Sequence, residues 1–247
     1  MVQNAADATE DRVAVRRARA ASRGRGCSLC RISPPTEILT GLWRAEAVHP
    51  EWTAEDDDGS EPGWEPEVGW LALETADGLL LIDPLVEDWT WLDQRVAAEG
   101  CAGIVRTIHW HQRAVASAAD RYDAHVWARQ PPPGLSSGSL DEPVADSGSL
   151  PGGVIGYWLA DGDELALWLP VQQTLVFGDA MLRDRGGALR RCPDSWLDLG
   201  HRQPEQLAAD LRALTSLQPS HVVVSHGPVV LDDGPTAFER AVAGDPA

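Results

Sequence analysis

Two histidines one residue apart, His109 and His111, stand where the apolar run "GIVRTI" ends and a helix-like pattern begins. Three further residues of the same chemical types close apolar runs elsewhere: Asp83 in "LLLIDP", Asp179 in "LVFGDA" and His226 in "VVVSHG". Neutral imidazoles and carboxylates are the ligands that catalytic zinc sites use, three from the protein with one position left open. A single histidine at a strand end is more often structural than catalytic. Several such groups at several strand ends, two of them beside a glycine that relieves crowding, point instead to one shared site. Trp110, between the two histidines, is expected to point away from them and pack.

The positions of these residues depend on the elements around them. In α/β architectures reactive groups collect in the loops after the carboxyl ends of strands. "EILTGLWRAEAV" alternates in part, and "VGWLALET" and "LLLID" flank the turn "ADG", so this region predicts a hairpin-rich sheet. "EDWTWLDQRVAAEG" predicts a helix closed by Gly100, "GIVRTI" a buried strand, "RAVASAADRY" a helix and "HVWA" a strand. Residues 130–153, rich in Pro, Gly and Ser, predict a polar loop. "VIGYWLA", "ELALWLP" and "TLVFGD" predict three strands with turns at "DGD" and "VQQ". "PEQLAADLRALTSL" carries a helical stripe of Leu207, Leu211 and Leu214, and is followed by the strand "HVVVSHG" and the helix "PTAFERAVA". Sheets covered by helices are the expected outcome, an α/β class.

With these motifs in this order over residues 36–243, the chain resembles the metallo-β-lactamase-fold superfamily. The residues that carry the resemblance are the "GWLALETADGLLLIDP" hairpin, the HxH after the next strand, the "ALWLPVQQTLVFGDA" segment and the closing "VVVSHG". It implies a four-layer αβ/βα sandwich with metal bound at one edge of its two sheets. It also implies hydrolysis of esters, thioesters, lactams or phosphodiesters. Carried over position by position, His109 and His111 match the HxH ligands and Asp179 the aspartate that bridges two metals. His226 matches the last histidine, a ligand of the second metal, and Asp83 a buried aspartate that organises the site.

Three family ligands are replaced. Arg113 stands where the second-metal aspartate belongs and Ala114 where its histidine belongs. Ala160 or a neighbour stands where a histidine precedes "ELALWLP". The second site keeps Asp179 and His226 alone, too few for a zinc that needs three or four ligands. One ion is expected, held by His109, His111 and Asp179 with His226 completing the set. Zinc is the first choice, and the same donors also suit iron or manganese. Asp179 and Arg113 are the expected catalytic residues. Arg113 has two readings, a fixed cation in the vacant metal position that stabilises an oxyanion, or the solvent-facing first turn of a helix. The whole chain also has two, a single-metal hydrolase of an ester, thioester or similar bond, or a non-catalytic member serving as a binding or structural module.

Other features carry less. Trp52 and Trp64, in an acidic Gly/Pro-punctuated loop, either form a flap over an apolar substrate or pack on the sandwich. Arg190, Arg191 and Asp194 lie where the family varies its substrate loop. His49, His125, His201 and His221 have no comparable company and receive no role. Residues 1–35 are expected to be a disordered tail, and its lone CxxC, Cys27 and Cys30, lacks the second pair that a four-thiolate zinc site needs. The domain is expected to span 36–247.

A length of 247 residues and 43% apolar content suit one substantial domain. The net charge of -18 argues against nucleic acid and against anionic membrane surfaces, so a small-molecule substrate is the expected partner. With no apolar signal segment at the start of the sequence, the expected location is cytoplasmic. The sequence leaves the oligomeric state open.

Overall fold

The computed structural model describes residues 34–50, 52, 65–129, 141–159, 164–183, 187–197 and 203–244. Cys27, Cys30, Trp64, Ala160, His201 and the turn at 161–163 lie outside these residues.

The first sheet has seven strands in sequence order: β1 (Thr36–Leu39), β2 (Leu42–Val48), β3 (Glu67–Thr75), β4 (Gly78–Ile82), β5 (Cys101–Arg106), β6 (Val126–Ala128) and β7 (Asp141–Pro143). β1 to β4 run antiparallel. β4 to β7 run parallel, with α1 (Thr90–Glu99) and α2 (Val115–Tyr122) as the crossovers after β4 and β5. The second sheet holds β8 (Gly148–Ser149), β9 (Ile155–Leu159), β10 (Glu164–Leu169), β11 (Thr174–Phe177) and β14 (His221–Val224), with β14 parallel to β11 on its outer side. A small hairpin of β12 (Met181–Arg183) and β13 (Leu189–Arg191) stands apart, followed by the short α3 (Asp194–Leu197). The chain then forms α4 (Pro204–Leu214) before β14 and α5 (Gly234–Ala243) after it.

The strand period of two builds the layers. Leu80 and Ile82 of β4, Leu71 and Leu73 of β3, and Val105 of β5 face Leu165, Leu167, Leu169, Val176 and Val223 of the second sheet. The alternate residues Leu79, Leu81, Ala72 and Ile104 pack under Leu92 of α1 and Val115 and Ala118 of α2. On the far side Ala166, Leu175, Phe177, Val222 and Val224 pack under Leu207, Leu211 and Leu214 of α4 and Phe238 of α5. Three apolar layers separate four structural ones, which is the αβ/βα sandwich. Central strands such as β4 and β11 are covered on both faces, so they are buried throughout instead of alternating.

The predicted elements recur with small boundary shifts, and Gly100 closes α1 at φ 85°. The polar loop expected over 130–153 does not hold for its second half, where β7 and β8 add an edge strand to each sheet. Val144, Leu150 and Val154 are buried between the sheets and pin this stretch despite its composition. Pro143 is tolerated because an edge strand needs no donor on its open side. The β12–β13 hairpin was not legible either.

Candidate metal centre

Four strands of the two sheets end at one place. β4 leads to Asp83, β5 to the loop 107–114, β11 to Gly178 and Asp179, and β14 to Ser225 and His226. Backbone contacts bind the two sheets together here. Gly69 N–H donates to Ser225 O at 2.7 Å, Val68 bridges His226, and Ile108 bridges Glu164.

Among the described residues, His111, Asp179 and His226 form the group whose ligand atoms all lie within 4.8 Å of one another. Asp179 Oδ1 is the shared point, 3.0 Å from His111 Nε2 and 3.1 Å from His226 Nε2. The other oxygen, Oδ2, accepts the Trp110 indole N–H at 2.6 Å. Trp110 therefore does not point away and pack, as expected; its indole holds the carboxylate. His109 lies outside the group. Its ring meets the Trp110 ring edge-on at 4.5 Å, and its carbonyl accepts from Arg106 Nη1 and Gln112 Nε2. Of the four expected ligands, the tight group therefore contains His111, Asp179 and His226. In the 107–114 loop, Trp110 is directed at Asp179.

Asp83 organises the loop. It is buried at φ 47°, a left-handed conformation that aspartate tolerates. Oδ1 accepts the Thr107 N–H at 2.8 Å, while Oδ2 accepts from Thr107 Oγ1 and, at 3.0 Å, from His111 Nδ1. A carboxylate on the outer nitrogen fixes the imidazole tautomer and turns Nε2 toward the cluster, the arrangement that supports metal-ligating histidines.

Arg113 faces inward, so it is not the solvent-facing first turn of a helix. Nη1 donates to Gly69 O at 3.0 Å and Asp83 O at 3.2 Å, and Nη2 donates to Ser225 Oγ at 2.7 Å. Nη2 also lies 3.2 Å from His111 Nε2. Its φ of 36° is unusual for a long side chain and marks a position held by its surroundings. Arg113 is also a wall of a cavity of about 340 Å³ shared with Pro50, Leu85, Val86, Trp89 and Ser117.

The charges are strongly coupled. Burial and Arg113 pull the His111 pKa down, yet Asp179 and Asp83 outweigh both and raise it to about 9. Burial raises Asp179, but His111 and His226 hold it well below the usual carboxylate range. Burial lowers His226, only partly offset by Asp179. His49 belongs here too, although the sequence assigned it no role. Burial, then the charges of Arg113, His111 and His226, depress it to about 4. Its backbone N–H donates to Pro66 O at 2.8 Å, where β2 meets the start of β3. Ser225 and Trp196, whose ring meets His226 edge-on at 5.2 Å, also went unnoticed. Serine and tryptophan have no spacing signature that could have marked them. Arg190 and Arg191 lie in β13 and Asp194 opens α3.

The donor set fits a metal ion. Two imidazole Nε2 atoms and one carboxylate oxygen lie about 3 Å apart in adjacent pairs, close to the spacing of neighbouring ligands around an ion with bonds of about 2 Å. A fixed guanidinium opposes it, since two charges from the ion and one from Arg113 at about 5 Å repel by several kcal/mol at moderate screening.

Comparison with known proteins agrees at the level of the fold. No family model matches the sequence, and no curated protein matches it. Solved structures do. The DIM-1 metallo-β-lactamase is 12% identical, with a TM-score of 0.62 over 85% of this chain and 96% of its own. The metallo-β-lactamase FIM-1 from Pseudomonas aeruginosa, in a mono-zinc form, is 15% identical with a TM-score of 0.59 over 85% and 93%. TTHA1623, in a di-iron-bound form, is 22% identical with a TM-score of 0.54 over 71% and 93%. The chain has the metallo-β-lactamase fold.

Proposed function

We propose that this protein is a hydrolase with a single metal ion, acting on an ester, thioester or similar acyl bond of a small molecule. The observation that carries the reading is the convergence of His111, Asp179 and His226 on one point at the junction of the sheets. Those three residues would hold the ion, with zinc first among candidates and iron or manganese suited to the same donors. When bound, such an ion supplies Lewis-acid activation of a water and of the scissile carbonyl.

The remaining groups hold this arrangement. Asp83 orients His111 through Nδ1, and Trp110 occupies Asp179 Oδ2, which leaves Oδ1 for the shared point. Arg113 supplies a permanent positive charge where relatives of the fold are expected to use a second metal. Pinned by Gly69, Asp83 and Ser225, it needs no rearrangement to stabilise negative charge on a substrate. Leu85, Val86 and Trp89 give the adjacent cavity an apolar wall for the substituent of such a substrate. The acidic surface supports a small-molecule partner over nucleic acid.

A second reading has its own support. A protonated His111 between Asp83 and Asp179 closes the cluster by hydrogen bonds alone, as a non-catalytic binding module would require. Metal analysis of the purified protein before and after chelation separates the two. About one equivalent per chain, removed by chelator and absent from His111→Ala, supports the hydrolase. Ester and thioester cleavage should then appear with metal and vanish without it. A protein that takes up no zinc, iron or manganese leaves the binding module.

A further inference from the structure

We propose that Glu164 is the positioning residue of Asp179, fixing the aspartate against the two imidazoles as Asp83 fixes His111; the metal-binding consequence rests on the function proposed above. Glu164 opens β10, a strand that is otherwise apolar, and its side chain is fully buried. A carboxylate in such a place is costly unless its oxygens find donors. Here three successive backbone amides supply them. Oε1 accepts the Gly178 N–H at 2.9 Å, and Oε2 accepts those of Asp179 at 3.1 Å and Ala180 at 2.8 Å. One carboxylate therefore gathers the whole turn that presents Asp179.

The backbone of the same residue is tied to the other ligand loop. Glu164 bridges Ile108, and the next residue donates from Leu165 N–H to Thr107 O at 2.7 Å. Thr107 in turn is held by Asp83. Gly178 fits between the two systems only because it lacks a side chain. A Cβ there would come within 2.6 Å of Thr107 Oγ1 and 3.4 Å of the Glu164 carboxylate. Each ligand loop thus has its own buried carboxylate, Asp83 from the first sheet and Glu164 from the second. The distances of 3.0 and 3.1 Å at Asp179 Oδ1 depend on both.

Glu164→Gln keeps the size of the side chain but replaces one acceptor by an NH₂ donor facing backbone N–H groups. Two readouts test it in the full-length chain. The first is the ring ¹⁵N signals of His111 and His226 in chelator-treated protein, which report the contacts to Asp179. The second is zinc affinity measured against a chromophoric chelator. Expected are shifted ring signals and zinc affinity lower by about 10- to 100-fold, with Glu164→Asp, one methylene short, in between. Leu92→Ala, on the buried face of α1, serves as a control for lost stability alone and should leave both readouts unchanged. Wild-type ring signals in Glu164→Gln, or equal shifts in Leu92→Ala, would overturn the inference. If Glu164→Gln does not fold, Glu164→Asp decides by the same ring signals. If the wild type takes up no zinc, the proposed function fails, and the ring signals of the metal-free protein still decide the role of Glu164.

Discussion

At Arg113 the side chain meets two opposed demands. Its guanidinium is anchored by three oxygens, Gly69 O, Asp83 O and Ser225 Oγ, and it also stands 3.2 Å from His111 Nε2, the atom that would bind metal. A cation so placed strengthens any negative charge that develops nearby and weakens the hold on a divalent ion. The two effects separate on substitution. Arg113→Met should raise zinc affinity by about tenfold or more while lowering kcat for acyl hydrolysis by about 100-fold. Chelator competition measures the first and steady-state kinetics the second. Equal losses in both would mean that Arg113 only supports the fold. Arg113→Lys should not restore the rate, because an ammonium cannot reproduce the planar fork that spans Gly69, Asp83 and Ser225.

The loops after the strands place these side chains, and backbone geometry sets the loops. His226 follows β14 and is held on both sides, by its bridge to Val68 and by the Arg183 N–H, which donates to its carbonyl at 2.9 Å. The next residue, Gly227, has φ 92°, and a Cβ there would lie 1.5 Å from the Arg183 carbonyl oxygen. No side chain fits without moving β12 or β14. Gly227→Ala should therefore cost about 3 kcal/mol or more and displace His226. A denaturant midpoint well below wild type, together with loss of the metal equivalent, is the expected result. An unchanged midpoint would show that the loop is freer than its contacts imply. The "SHG" triplet thus carries two constraints, a candidate ligand and the glycine that turns the chain away behind it.

Over the whole molecule, the buried ionisable groups shape the dependence of stability on pH. His111 is raised from 6.5 to about 9, so its contribution is complete below pH 6.5 and lost as pH rises through 9. His49, lowered from 6.5 to about 4, and His226, also lowered, act in the opposite sense. Their neutral folded forms lose ground as pH falls below 6.5, where the unfolded chain takes up protons. Chelator-treated protein should accordingly be most stable near pH 6.5, with Tm falling on both sides. His111→Ala should weaken the alkaline decline between pH 6.5 and 9 and keep the acid one; thermal melts from pH 4 to pH 10 check this, and an alkaline decline unchanged in His111→Ala would refute the assignment. As for what could be read in advance, hydrophobic periodicity sufficed for the strands, the covering helices and their order, because a strand buried on both faces or a helix buried on one must show it locally. It also marked Asp83, His109, His111, Asp179 and His226, whose types are rare at the ends of apolar runs. Which imidazole joins the cluster was beyond it. His109 and His111 differ by two positions in a loop, and only the fold decides that Trp110 reaches Asp179, that Arg113 turns inward and that His49 comes near. The burial of Glu164 escaped notice for the same reason. A charge at the start of a strand looks like a solvent-facing residue until the second sheet, the Thr107 loop and the Asp179 turn close over it. Local pattern records what each segment must bury, whereas the meeting of side chains from separate segments is settled by how the two sheets pack.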